Sequence, residues 1–319
     1  MTVMASYEKF DYSTRPNKRT QRKMIFDALA RYIAVFPRRR FGYVGFGSMW
    51  FADFLYAHRR LGLQSLTSIE TPEGFRRAAF NRPFKCVRMV EGYSSTVLPS
   101  LNWRRPAIVW LDYDYKPESE SLQDLSYLAG EIASGSVLMV TYDADPPWNE
   151  DATPDERAEV IRRVFKDAAP PQLRRSRRRK SKVPHRSSYA PTLTALLWSF
   201  LENELVRNGR AGADDLAWLP LFSFFYKDGA PMITIAAALL NSRERAIFEE
   251  GNPFKGLLYA LGERLFSIAI PPLTLRERAE LDRRLPSRTV KLPFPLAEEQ
   301  LESYRSLYRY YPLLAEVDL

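Results

Sequence analysis

Four apolar runs in the first half of this chain each end in residues able to do chemistry. The first, Tyr43-Val44-Gly45-Phe46-Gly47-Ser48, ends in two glycines and a serine and leads into a helical stretch. Glycine lets the backbone approach a ligand closely, and a helix start favours polar or anionic groups. The third small residue of a dinucleotide fingerprint is replaced by Trp50, which disfavours a nicotinamide dinucleotide. Glu70 ends the second run, 23 residues after Gly47. An acid at that place can accept hydrogen bonds from both hydroxyls of a ribose. The third run ends in Glu91-Gly92-Tyr93-Ser94, and the fourth in Trp110-Leu111-Asp112-Tyr113-Asp114-Tyr115. A fifth run ends in Asp143-Ala144-Asp145. Asp112, Asp114, Asp143 and Asp145 would crowd one sheet edge and could hold a hard divalent cation such as magnesium, which binds through one or two carboxylates plus water. The alternative for these acids is a set of solvated loop carboxylates. Other catalytic sets are missing: the two histidines, His58 and His185, have no metal-ligand spacing, and neither a Walker loop nor a G-x-S-x-G elbow occurs. Cys86 is the only cysteine, which excludes an internal disulfide and reads as a small apolar strand residue.

These residues need strands to hold them and helices to separate the strands. Periodicity predicts strands at Phe41 to Val44, Leu66 to Ile69, Lys85 to Val90, Ala107 to Leu111 and Ser136 to Tyr142. Helical spacing predicts helices at Lys18 to Val35, Trp50 to Arg60, Pro72 to Asn81 and Ser121 to Ser134, while Tyr93 to Leu101 is too short for a standard helix. Alternation of this kind implies a parallel sheet with crossover helices. Ligands of such sheets bind outside the carboxyl ends of the strands, where the glycines and acids fall. In the second half, Thr153-Pro154-Asp155-Glu156 opens a helix to about Ala168, and Thr192 to Asn208 reads as another. Lys227-Asp228-Gly229-Ala230 is a hairpin turn between Phe222 to Tyr226 and Met232 to Ala237, and further helices are predicted at Arg276 to Leu285 and Ala297 to Tyr308.

With these residues in place, the chain resembles a class I S-adenosylmethionine-dependent methyltransferase over roughly residues 20 to 240. Tyr43 to Ser48 is similar to the family's glycine motif, Glu70 to its ribose acid and Leu111 to Tyr115 to its fourth-strand motif. The resemblance implies a Rossmann-like, doubly wound α/β sheet, mostly parallel with an antiparallel terminal hairpin. The expected division is a methyltransferase-like domain over 1–240, with a basic insertion around 170–190, and a small helical region over 241–319. It implies S-adenosylmethionine bound by Gly45, Gly47, Ser48, Glu70, Glu91, Gly92, Tyr93 and Asp112, with Asp112 and Asp114 facing the acceptor. Similarity to O-methyltransferases of the cation-dependent kind implies a divalent cation on Asp112 and Asp143. Asp145-Pro146-Pro147-Trp148 has the composition of an amino-methyltransferase motif, so N-methyl transfer stays open beside O-methyl transfer. A non-catalytic scaffold on the same sheet is the alternative function.

The composition is that of a folded protein, with 45% hydrophobic and 27% charged residues. The formal net charge is +9. Gln172 to Arg186 alone holds eight Lys or Arg and no acid; without it the cations fall from 47 to 39 against 38 acids. Arg174, Arg175, Arg177, Arg178, Arg179, Lys180 and Lys182 are therefore candidate contacts for nucleic acid, or else a solvated loop. The longest apolar run, about Met232 to Leu240, is too short to span a bilayer, and Met1 to Arg22 has no apolar signal core. The expected setting is cytoplasmic, without membrane contact.

Overall fold

The predicted alternation of apolar runs and amphipathic stretches forms eight strands and nine helices of eight residues or more among the described residues of a computed structural model: 15–166, 189–213, 215–260, 262–287 and 292–312. The strands are β1 (Gly42–Gly45), β2 (Leu66–Glu70), β3 (Val87–Glu91), β4 (Ala107–Asp112), β5 (Val137–Asp143), β6 (Leu216–Lys227), β7 (Pro231–Asn241) and β8 (Leu265–Ile268). The helices are α1 (Pro16–Val35), α2 (Ala52–Arg59), α3 (Pro72–Phe80), α4 (Ser119–Glu131), α5 (Pro154–Phe165), α6 (Tyr189–Arg207), α7 (Ser242–Gly251), α8 (Leu275–Asp282) and α9 (Glu298–Leu307). One sheet holds every strand in the order β3-β2-β1-β4-β5-β7-β6-β8. The first five strands are parallel, β7 runs antiparallel between β5 and β6, and β8 is parallel to β6. This is the expected doubly wound α/β sheet, mostly parallel, with an antiparallel hairpin.

Three expectations change. The hairpin strands are about twice as long as their apolar cores suggest, because each continues through residues that the pairing of β6 with β7 and β5 with β7 keeps bonded. The carboxyl-terminal region is not only helical: β8 extends the sheet along β6. Tyr93 to Leu101 folds as a helical turn over Ser94–Val97 followed by a 3-10 turn over Leu98–Ser100. The basic run of Gln172 to Arg186, with the seven candidate phosphate contacts, lies outside the described residues.

Both faces of the sheet are covered, as strands buried on two sides require. Alternate residues of β4 show the division. Val109 and Leu111 pack with Leu125 and Leu128 of α4 and Leu197 of α6. Ile108 and Trp110 pack with Met24, Ile25 and Leu29 of α1 and Phe54 of α2. Asp112, two residues beyond Trp110, therefore continues the α1 side. Helix α1 is capped from far away: Asp228, in the β6–β7 turn, accepts from Asn17 N at 3.1 Å and Lys18 N at 2.8 Å. A carboxylate at a helix start satisfies donors that have no intrahelical acceptor and offsets the dipole. Asn17 also donates to the Lys227 carbonyl and accepts from Ile270 N, which pins the start of α1 to the carboxyl edge of the sheet. Among the described residues, no helix is long and apolar enough to cross a membrane.

Candidate functional site

The carboxyl edge of the parallel strands gathers most of the residues singled out by chemistry. Gly45 pairs with Ser68 on one side and Trp110 on the other, and Glu70 lies opposite Glu91. The turn after β1 is tied to the end of β2 by a buried network. Gly47 N donates to Glu70 Oε1 at 2.8 Å and to Ser68 Oγ at 3.0 Å, and Ser68 Oγ donates to the same carboxylate oxygen at 2.6 Å. Burial pushes the Glu70 carboxyl above the ordinary carboxylate range, against the pull of these donors. Ser68 is a site residue that strand periodicity alone did not mark; its signal was position, two residues before Glu70 on the same strand face.

The glycines serve the chain's own packing first. A Cβ on Gly45 would sit 2.9 Å from the Trp110 carbonyl oxygen, so β1 and β4 approach too closely for a side chain. A Cβ on Gly47 would meet the Phe51 ring at 2.4 Å and Ser68 Oγ at 2.6 Å. Phe51 is buried, folds back over the turn and has a left-handed backbone at φ 47°, as does Ser48 at φ 49°. Non-glycine residues in that region cost of order 1 kcal/mol each, which the surrounding turn must offset.

At the end of β3, Glu91 is exposed, and Gly92 N donates to the Glu70 carbonyl at 2.9 Å from a backbone at φ 143°. Tyr93 is 55% exposed, with its hydroxyl 3.3 Å from Glu73 Oε1. Its ring is thus available to border a planar ligand. The next residue, Ser94, shares the Asp124 carboxylate with the Tyr113 hydroxyl, which donates to it at 2.6 Å.

Asp112 Oδ2 accepts from Lys18 Nζ at 2.6 Å, in a pair whose side chains are 16% and 6% exposed. Asp112 Oδ1 is enclosed and has no hydrogen-bond partner among the described residues. Four residues along α1, Arg22 stands 3.3 Å from Asp53 and over the Trp110 ring. Nearby, the buried Tyr226 hydroxyl and Gln21 Oε1 also lack partners among the described residues, and burial pushes the Tyr226 hydroxyl up to about 12. Sequence reasoning missed Lys18, Gln21 and Arg22. The available signal was a polar set at helical i, i+3, i+4 spacing in line with the apolar Ile25 and Leu29, where an ordinary amphipathic helix would carry apolar residues.

The other expected acids do not join this centre. Asp114 is exposed, with no ion pair among the described residues. Asp143 is half-buried, and its Oδ1 accepts from Asp145 N at 2.7 Å. Burial raises its carboxyl above the ordinary range. The cation expected on Asp112 and Asp143 does not fit: one carboxylate is held by an ammonium and the other closes its own turn. No three His, Cys, Asp or Glu side chains converge in a metal-binding group among the described residues. The segment from Asp145 to Trp148 is drawn into the body, with Lys116 donating to the Pro146 carbonyl and Trp148 edge-on to Tyr189 at 4.9 Å. The remaining rim suits a ligand with hydroxyls and a positive charge: Glu70 stands at the glycine turn, Glu91 and Tyr93 beside it, and Asp112 across β1.

The model of a family described as "Putative O-methyltransferase" matches residues 10–319. No curated protein matches the chain in sequence. Among solved structures, it is similar to cofactor-bound Rv0187 from MTB at 11% identity, over 76% of this chain and 83% of that one, with a TM-score of 0.36. An O-methyltransferase family protein from Burkholderia thailandensis is 13% identical over 68% and 55%, with a TM-score of 0.35. LepI in complex with SAM is 10% identical over 63% and 43%, with a TM-score of 0.33, so this chain spans less than half the length of LepI.

Proposed function

From the premise that the chain belongs to this O-methyltransferase family, we propose that it transfers the methyl group of S-adenosylmethionine to a hydroxyl oxygen of its acceptor. The observation that carries the reading is the Glu70 carboxylate fixed against the glycine turn, at the edge where the ends of β1 to β4 meet. S-adenosylmethionine, when bound, supplies a methyl group activated by a sulfonium. In this reading Glu70 accepts from ribose hydroxyls, Gly45, Gly47 and Ser48 form the floor under the amino-acid end, and Glu91, Gly92 and Tyr93 border the adenine. The acid-rich rim favours the sulfonium electrostatically.

The acceptor side is Asp112 with Lys18. Lys18 holds Asp112 Oδ2 and so fixes the carboxylate in place at the end of β4. The partly exposed Asp112 carboxylate receives the hydrogen of the acceptor hydroxyl, which aims an oxygen lone pair along the line of displacement. With S-adenosylmethionine bound as methyl donor, Asp112 would take up the proton that the acceptor hydroxyl releases. Alignment is the main requirement of such a displacement, and holding the reactants in line supplies much of the rate. Asp114, exposed beyond Asp112, has the lesser part of receiving the acceptor at the rim.

Calorimetry with S-adenosylmethionine and S-adenosylhomocysteine tests the reading. Binding of either ligand, weakened in Glu70→Ala, is the expected result. No binding of either at millimolar concentration would leave the sheet as a scaffold without enzymatic function.

A further inference from the structure

Outside Gln172 to Arg186 the chain is nearly neutral in sum, yet one stretch of the sheet's amino edge is strongly basic. The carboxyl edge holds Glu70, Glu91, Asp112, Asp143 and Asp228. The segments that lead into the four adjacent parallel strands lie on the opposite, amino edge. Those segments are residues 37–41, 59–65, 81–86 and 102–106, and together they contain nine Arg or Lys and no Asp or Glu. They are bonded side by side: Gly42 N donates to the Pro106 carbonyl, Tyr43 N to that of Ser65 and Leu66 N to that of Cys86. With strands about 4.8 Å apart, the four segments span about 15 Å.

Two of the nine cations are spoken for, Arg39 by Glu244 and Arg60 by Asp27. The rest are exposed and have no acidic partner among the described residues: Arg38 and Arg40 before β1, Arg59 before β2, Arg82 and Lys85 before β3, and Arg104 and Arg105 before β4. Exposed acids on the flank are Glu131, at the end of α4, and Glu249 and Glu250, on α7. Uncompensated like charges crowded on one edge repel one another, and a polyanion relieves the repulsion.

We propose that this amino edge docks single-stranded nucleic acid. All but one of the unpaired cations are arginines, whose planar guanidinium matches phosphate and stacks on bases. Phe80, at the end of α3 and two residues before Arg82, is 89% exposed. Arg59 lies over the Phe84 ring at 5.6 Å. The exposed Phe80 ring among these arginines offers a base a surface on which single strands stack without reading sequence. An anionic membrane would call instead for an apolar helix face, and Phe80 stands alone. The surface lies a strand length, about 17 Å, from the methyl-transfer edge. It therefore holds a nucleic acid beside the enzyme's chemistry, independently of that chemistry.

The test is anisotropy of a labelled 20-nucleotide oligouridylate on the full chain. The parent is compared with a variant in which Gln172 to Arg186 is replaced by a neutral Gly/Ser linker, which removes the other basic element. The linker variant is expected to keep binding, with a log–log salt slope approaching about −5 if all seven cations engage. Adding Arg82→Gln, Lys85→Gln, Arg104→Gln and Arg105→Gln should bring the slope to about −2. Phe80→Ser should weaken binding about tenfold at an unchanged slope. Circular dichroism and S-adenosylhomocysteine binding, unchanged in each variant, report that the fold is kept. A linker variant that no longer binds, a fourfold variant that binds as tightly, or binding to phosphatidylserine vesicles without binding to RNA would each overturn the proposal.

Discussion

Lys18 Nζ lies 2.6 Å from Asp112 Oδ2, so the first helix and the end of the fourth strand are joined by an ion pair largely shielded from water. The contact spans 94 residues of chain. Removing one partner of a buried pair leaves an uncompensated charge, at a cost of about 3–5 kcal/mol. Lys18→Met is expected to fall near the lower end, because Asp112 keeps some exposure. Lys18→Met with Asp112→Leu should recover most of the loss. Urea denaturation of the two variants decides it; a double variant no more stable than Lys18→Met would show that the pair is not the source.

Asp112→Asn keeps the shape and one hydrogen-bonding oxygen but cannot carry a proton. Turnover should fall by about tenfold or more, with affinity for S-adenosylhomocysteine changed less than about threefold. Steady-state kinetics and calorimetry give the two numbers. Equal turnover would remove Asp112 from the chemistry.

Glu70 carries two expectations. Charge-assisted hydrogen bonds contribute about 1.5–3 kcal/mol, so Glu70→Ala should weaken cofactor binding roughly tenfold to a hundredfold. Burial also holds the native Glu70 carboxyl above its unfolded value of about 4.3. Between those two values the native state binds more protons than the unfolded one. The associated stability is fully present below about pH 4.3 and is lost as pH rises through the native value. Glu70→Gln, neutral throughout, should flatten the parent's decline in unfolding free energy over that window. Parallel pH profiles of parent and variant would count against the assignment.

Gly47→Ala forces a methyl group into the Phe51 ring and Ser68 Oγ. Overpacking of this kind costs about 1–3 kcal/mol. Phe51→Leu in the same chain should return part of it, measured as coupling in a double-mutant cycle of thermal unfolding. Additive losses would mean that the ring is not what excludes the methyl.

Asp112 and Asp143 are engaged separately, by Lys18 and by the Asp145 backbone. A chelator is therefore expected to leave cofactor affinity and turnover unchanged, and Asp143→Asn to leave turnover within about twofold. Loss of turnover on chelation, restored by magnesium, would reverse this.

The strand ends were legible in the amino-acid order because strand formation and termination are local. Apolar runs stop where Gly45, Glu70, Glu91 and Asp112 begin to offer polarity, and the first five strands lie within one or two residues of their expected bounds. The parallel sheet followed from the alternation, and with it the edge on which these residues meet. β8 was not legible, since its four residues are too few to show a period of their own and become a strand only along β6. The pairing of Lys18 with Asp112, the capping of α1 by Asp228 and the closure of Phe51 over Gly47 belong to the tertiary structure. So does the gathering of cations from four separate segments onto one stretch of the amino edge. No local pattern encodes these contacts: the partners are set by which helix crosses which strand, and net charge is a sum that loses position. What a residue is follows from the sequence; which residue answers it across the sheet is decided by packing two covered faces around one set of strands.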